Sequence, residues 1–273
     1  MPHLFQDLRY ALRGLVQSPG FTLVVVMTLA LGIGANSAIF SVVNGVVLTP
    51  LGYDEPEELT FVTSAFPTMG FHEFWMSAPE YLEYREWSRA MQDVGAYNVG
   101  EVSLTGGDSP LRVPGAIATP SLFSTLGVAA ARGRTFVQQD GEPGGEPVVL
   151  LSWELWRRAF GGRDEILGST LEVQGQASTV VGIMPEAFDL DDNGIEVWRV
   201  LQLDPADPGG RASHYLYAVG RLAEGATVDS ARAEIASLVE SWPERFPDDH
   251  TPRPEVHFLQ LEPLVDQVIG EVR

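Results

Sequence analysis

The sequence predicts an α+β protein: one N-terminal transmembrane helix followed by a large exported core. Three observations carry that expectation. Residues 21–48 contain no Asp, Glu, Lys, Arg or His. A strand–helix–strand pattern occurs at 59–99 and again at 215–261. The stretch between them is rich in Gly and Pro turns and carries only short strands.

The elements follow in chain order. Within residues 1–20, Leu4, Phe5, Leu8, Leu12, Leu15 and Val16 share one helical face, opposite Gln6, Arg9, Arg13 and Gln17. That is an amphipathic helix with a basic polar face, suited to the cytoplasmic membrane interface. Ser18-Pro19-Gly20 breaks it. The uncharged run 21–48 makes a helix of about 28 residues and about 42 Å, against the roughly 30 Å of a bilayer's hydrocarbon core. It exceeds the 7–15 residues or so of a signal-peptide core and reads as an uncleaved anchor. Ala30, Gly34, Ala38, Ser41 and Gly45 fall in one stripe along it, a helix-packing surface that lets another helix approach closely. Asn36 projects away from that stripe, which suggests a second partner helix. Arg9 and Arg13 precede the run, and Asp54, Glu55, Glu57 and Glu58 follow it. The positive-inside rule then places the N-terminus in the cytoplasm and the remainder outside.

The exported core spans 49–262. Its expected strands are 59–64, 94–99, 215–222 and 255–261, with helices at 79–91 and 227–239. Ser77 is the candidate N-cap of the first helix, and Pro79 lies in its first turn. Two β-α-β units so far apart suggest one split subdomain, 55–100 with 211–262. The insert, 101–210, carries strands at 112–118, 148–151, 170–173 and 179–183 and reads as a second, mostly-β subdomain.

Composition narrows the function. The chain has 273 residues and a net charge of −20, which disfavours nucleic acid and anionic membrane surfaces as partners. There is no cysteine, so disulfides, thiolate metal sites and a cysteine nucleophile are excluded. All 17 basic residues are arginine. A phosphate-binding loop of the GxxxxGK[ST] type is therefore impossible, and any ATP used with this chain is bound by another.

Several chemical motifs start and fail. His72-Glu73-Phe74-Trp75-Met76 begins like HExxH, but Met76 replaces the second histidine. Asp189-Leu190-Asp191-Asp192-Asn193-Gly194 begins like a calcium loop, but the twelfth position is Val200. It reads as an acidic turn. His3, His72, His214, His250 and His257 show no ligand spacing. No G-x-S-x-G elbow is present, the Gly-Gly pairs starting at Gly106, Gly144, Gly161 and Gly209 read as turns, and Trp153, Trp156 and Phe160 read as core. The expectation is a protein that is not an enzyme, with no catalytic, cofactor or metal residues.

Asp7-Leu8-Arg9-Tyr10-Ala11-Leu12-Arg13, Ser18-Pro19-Gly20-Phe21-Thr22, Leu29-Ala30-Leu31-Gly32-Ile33-Gly34-Ala35-Asn36 and Ile39-Phe40-Ser41-Val42-Val43-Asn44 resemble the opening of MacB-like/FtsX-like ABC transporter permeases, nearest to the duplicated orphan group without a fused ATPase. Tyr81-Leu82-Glu83-Tyr84-Arg85, Phe123-Ser124-Thr125-Leu126-Gly127-Val128 with Gly133-Arg134-Thr135-Phe136, Leu151-Ser152-Trp153-Glu154-Leu155-Trp156 with Phe160-Gly161-Gly162, Val180 to Phe188, and Arg221-Leu222-Ala223-Glu224-Gly225 continue the likeness. The resemblance implies a periplasmic core in which the split part is porter-like and the insert sabre-like. It implies a bacterial inner-membrane location, a separate cytoplasmic ATPase, pairing of permease halves as a homo- or pseudo-dimer, and mechanical transmission that moves or releases cargo. Relatives continue past 263–273 into further spans, so that segment reads as the start of a stalk to a second span that is missing here. The alternative is a single-span envelope protein whose exported core binds a partner or signals.

Overall fold

The structure is a computed structural model that describes residues 13, 17–43, 53–105, 110–186, 188–190, 193–247 and 256–270. The chain separates into two compact units, 1–50 and 51–273.

The first unit is described chiefly by helix α1, Pro19–Val43. Ser18 is non-helical, and its carbonyl accepts the Thr22 N–H at 2.9 Å, so the helix starts where the Ser-Pro-Gly break was expected. Most of the interfacial helix expected at 1–20, and the last part of the uncharged run, lie outside the described residues. Among the described residues no helix is long and apolar enough to cross a membrane; the side chains of α1 are described through Gly34 and at Ser37.

The second unit is a mixed α/β core. Its strands are β1 Leu59–Phe66, β2 Phe71–Phe74, β3 Met76–Ser77, β4 Met91–Thr105, β5 Leu111–Ala118, β6 Arg132–Gly133, β7 Val148–Leu151, β8 Thr170–Val173, β9 Gln176–Ile183, β10 Val197–Val200, β11 His214–Leu222 and β12 Phe258–Pro263. Its α-helices are α2 Ala78–Trp87, α3 Ser121–Leu126, α4 Trp153–Phe160, α5 Val228–Arg245 and α6 Leu264–Gly270.

One end of the sheet has the order β12-β1-β11-β4, and every neighbouring pair is antiparallel. Strands β1 and β4 are therefore parallel, joined through α2, with β11 between them. Strands β11 and β12 are likewise parallel, joined through α5, with β1 between them. The two β-α-β units interlock, each holding one strand of the other, which is the split β-α-β arrangement. All of β1 is buried because both faces are covered. Val62, Val94, Ala96, Leu216 and Ala218 meet Tyr81, Tyr84, Ile235, Leu238 and Trp242 of α2 and α5. Their alternates Phe61, Tyr97 and Val219 meet Leu122, Phe123 and Leu126 of α3, as the period of two requires.

The sheet does not stop between the two expected subdomains. The long strand β4 leaves β11 at Tyr97 and runs on beside β5 and β8. From there the pairing closes on itself: β4-β5-β10-β7-β9-β8-β4. This six-stranded ring places Val102, Leu104, Val113, Val149, Leu151, Val173, Val180, Ile183 and Val197 in one cluster. Leu155 and Trp156 of α4 complete it, with Trp153 and Phe160 packed against them. A closed ring leaves few unpaired strand edges.

Arg221 secures the entry to this core. Its buried guanidinium donates to the Thr125 carbonyl at 2.9 Å, the Asp54 carbonyl at 2.6 Å and the Glu55 carbonyl at 3.3 Å, and pairs with Glu58 at 3.3 Å. The chain enters and leaves side by side, since Thr60 of β1 lies opposite Pro263 of β12.

Helix α2 ends at Trp87, earlier than the expected 91, because the next residues are captured from outside. Glu234 of α5 accepts Ser88 Oγ at 2.8 Å and the Arg89 and Ala90 N–H groups at 2.9 Å each. Burial pushes its carboxyl up, but these donors hold it below its ordinary value. The α5 helix runs to Arg245, past the expected 239, with Pro243 inside it.

Two outcomes are expected from this packing. A methyl group at Gly95 would lie 2.4 Å from the Leu122 Cα, so Gly95→Ala must push α3 off β4; urea unfolding should show a loss of about 2 kcal/mol. Glu234→Ala should cost about 2 kcal/mol at neutral pH. Because the folded carboxyl titrates below its unfolded value, that stability is present above the unfolded value and lost as pH falls through the folded one. The wild-type and Glu234→Ala unfolding curves should therefore converge in acid, below about pH 4.3.

Candidate functional site

The residue clusters with chemical capacity are not the ones that the sequence motifs suggested. His72 and Glu73 lie in β2, an exposed strand. An i, i+4 pair shares one side of a helix but stands about 13 Å apart along a strand, so no helical zinc motif forms. Asp189 accepts the Gly194 N–H at 3.1 Å through one carboxylate oxygen and 3.3 Å through the other; Asp191 and Asp192 lie outside the described residues. Asp189 thus holds the Gly194 backbone with its own carboxylate.

Of the helix-packing residues, Ala30 and Gly34 are exposed on α1. Ala38 and Ser41 lie within the helical backbone with side chains outside the described set, and Gly45 lies outside the described residues. Phe21, Leu23, Val24, Val26, Met27, Leu29, Leu31 and Ile33 are all more than half exposed. These side chains give α1 an uncharged, apolar surface.

Strand register builds a second cluster inside the core. Ser77 caps α2: the Glu80 N–H reaches Ser77 Oγ at 3.5 Å, and Glu80 Oε2 accepts the Ser77 N–H at 2.9 Å. The pairing of β3 with β11 sets His214 opposite Ser77. The pairing of β1 with β12 sets Phe258 opposite Ala65, which brings His257 against the ring of Phe66. The result is a buried trio. Glu80 is fully buried and His257 is 1% exposed. His214 Nε2 lies 3.5 Å from Glu80 Oε2, and His257 Nε2 lies 3.5 Å from Glu80 Oε1. Phe66 stacks on His257 at 4.1 Å and meets His214 edge-on at 5.2 Å. The imidazoles are 5.0 Å apart. Burial pushes the Glu80 carboxyl up, yet the pull of His214 and His257 and the Ser77 N–H bring it below its ordinary value.

One atom from each of the three side chains can be chosen so that all lie within 4.8 Å of one another. Two imidazoles and a carboxylate are a donor set for divalent transition metals. Sequence spacing gave no sign of this group, because its members come from three separate segments. One signal was legible: Ser77-Ala78-Pro79-Glu80 has the Ser-x-x-Glu form of a capping box, which fixes Glu80 at the start of α2.

A turn along α2, Glu83 pairs with Arg211 and with Arg245, the latter at 3.8 Å. Arg211 lies 3.8 Å over Phe246 and 5.3 Å over Trp242, and Arg245 lies 4.5 Å over Trp87. These contacts tie α2, α5 and the segment before β11 together.

No curated protein sequence matches the chain. Solved structures do. A domain described as part of a permease protein from Porphyromonas gingivalis matches with TM-score 0.55 and 16% identity, over 77% of this chain and 92% of that one. The periplasmic region of MacB from Actinobacillus actinomycetemcomitans matches with TM-score 0.55 and 12% identity, over 79% and 92%. The extracellular domain of the noncanonic ABC-type transporter YknZ from Gram-positive bacteria matches with TM-score 0.52 and 13% identity, over 74% and 99%. At these identities the likeness is one of fold. The model of the MacB-like periplasmic core domain matches residues 22–238, and the chain belongs to that family.

Proposed function

We propose that this protein is the membrane permease component of an ABC-type transporter, working with a separate cytoplasmic ATPase. The observation that carries this reading is the joining, in one chain, of a MacB-like core to a helix whose uncharged side chains are exposed. The uncharged sequence continues to Leu48, long enough to span a bilayer. In this reading the helix anchors the chain in the bacterial inner membrane with the N-terminus inside and the core in the periplasm. Permease halves pair along the stripe of Ala30, Gly34, Ala38, Ser41 and Gly45. ATP is bound by the partner, since a chain without lysine has no P-loop. The core acts on cargo through movement rather than chemistry.

The absence of cysteine makes the topology directly testable. Arg13→Cys and Asp207→Cys each introduce a single thiol at an exposed position. A membrane-impermeant maleimide applied to cells with a permeabilised outer membrane should label Asp207→Cys and reach Arg13→Cys only after lysis. The reverse pattern would overturn the orientation, and extraction of the protein by alkaline carbonate would overturn the anchor. Gly34→Leu should reduce recovery of a second permease half in co-purification several-fold. Unchanged recovery would remove the stripe from the interface.

A further inference from the structure

We infer that Glu80, His214 and His257 form a binding site for one divalent transition-metal ion of the zinc class. The argument begins with the hydrogen on His214. Its Nδ1 lies 3.2 Å from the Ala212 carbonyl oxygen. A carbonyl only accepts, so Nδ1 carries the hydrogen and donates. That leaves Nε2 aimed at Glu80 Oε2. In the neutral ring this nitrogen is a lone pair facing a carboxylate, and two such groups stay together only with a cation between them. A carbonyl that fixes the tautomer from the far side of the ring is the usual support of a metal-bound imidazole.

Distances favour a metal ion over a proton as that cation. A charge-assisted hydrogen bond between imidazolium and carboxylate closes to about 2.7–2.9 Å. Here both contacts stand at 3.5 Å. Ligand atoms that share a tetrahedral zinc at about 2.0–2.1 Å lie roughly 3.3 Å from each other. The two contacts reach different oxygens of the carboxylate; with one ligand atom taken from each residue every edge is within 4.8 Å, so none needs to close by more than about 1.5 Å. Glu80 supplies the second observation. Its Oε1 is fully buried, faces His257 and receives no hydrogen bond among the described residues. A buried carboxylate oxygen left so is costly without a cation.

The ion would take the two Nε2 atoms and the Glu80 carboxylate, leaving a position for water. Phe66 and Phe74 form apolar walls beside the imidazoles. Glu80 belongs to one of the interlocked β-α-β units, and His214 and His257 to the other. Binding therefore staples the two units. The site is independent of the transport reading and holds whether or not the chain moves cargo.

The test uses the full chain in detergent, purified without a polyhistidine tag, stripped with chelator and refolded with zinc sulfate or with cobalt(II) chloride. One zinc per chain should survive desalting, and cobalt should give the visible bands of a four- or five-coordinate site. Zinc should raise the melting temperature of the wild type. Glu80→Gln, His214→Gln and His257→Asn should each weaken zinc binding at least tenfold and abolish the thermal shift, while His72→Ala, on exposed β2, should change neither. Where a variant does not fold, as judged by circular dichroism, the wild-type cobalt adduct decides. Its proton spectrum should show two exchangeable, paramagnetically shifted imidazole N–H signals. Wild type refolded with zinc but lacking stoichiometric metal, full binding in a folded His257→Asn variant, or fewer than two shifted N–H signals would each overturn the site.

Discussion

Strand β4 is the constraint on which the rest of the core depends. Its fifteen residues cross three hydrophobic clusters in turn: Met91, Val94 and Ala96 in the first, Tyr97 in the second, Val102 and Leu104 in the third. Its first half completes the four-stranded sheet under α2 and α5, and its second half closes the six-stranded ring. A strand shared by two assemblies cannot shift register without reversing the faces of both. The close approach of Leu122 to Gly95 pins it at the junction. The apolar clusters at the two ends of β4 are bridged by a third, which joins Phe61, Tyr97 and Val219 to Leu122, Phe123 and Trp198, and backbone hydrogen bonds run without a break from one end of the core to the other.

Much of this could be read from the sequence, and the parts that could not share a cause. The strands at 112–118, 148–151, 170–173 and 215–222 were legible because their apolar residues alternate or run continuously between turn residues. Helix α5 was legible from its composition. Closure of the ring was not, because it rests on the pairing of Leu104 with Val173 and Thr105 with Glu172, which leaves no periodicity in either segment. The end of α2 was misplaced because the capture of Ser88, Arg89 and Ala90 comes from Glu234, far along the chain. The Glu80 trio escaped for the same reason. Ligand-spacing rules describe residues on one element, whereas His214 and His257 reach Glu80 only after two separate strand pairings are made.

Placing charge inside such a core has an energetic logic. The Glu80 carboxylate is already committed to the first turn of α2, where the helix dipole and the Ser77 N–H favour it. Removing its partners would leave a buried negative group with nothing to answer it, a situation that costs several kcal/mol. Arg211 and Glu83 stand in a comparable relation one turn later, shielded by Trp242 and Phe246. The α2 helix is thus fixed to β11 and α5 by ionic contacts as well as by its tyrosines. These contacts are directional, and they specify one seating of the helix where apolar packing alone would tolerate several.

The side-by-side entry and exit of the core has a mechanical meaning. Because β1 and β12 are antiparallel neighbours, with Thr60 facing Pro263, a push applied equally to both stems turns the whole body as a lever and strains no pairing. A pull that separates the stems instead opens the β1–β12 ladder one rung after another, the geometry of a zipper. Arg221 grips only the incoming stem, at Asp54, Glu55 and Glu58. The two stems are therefore held by different means: the first is tied to α3 and β11 by the hydrogen bonds of one arginine, and the second by the burial of Leu264 at the start of α6.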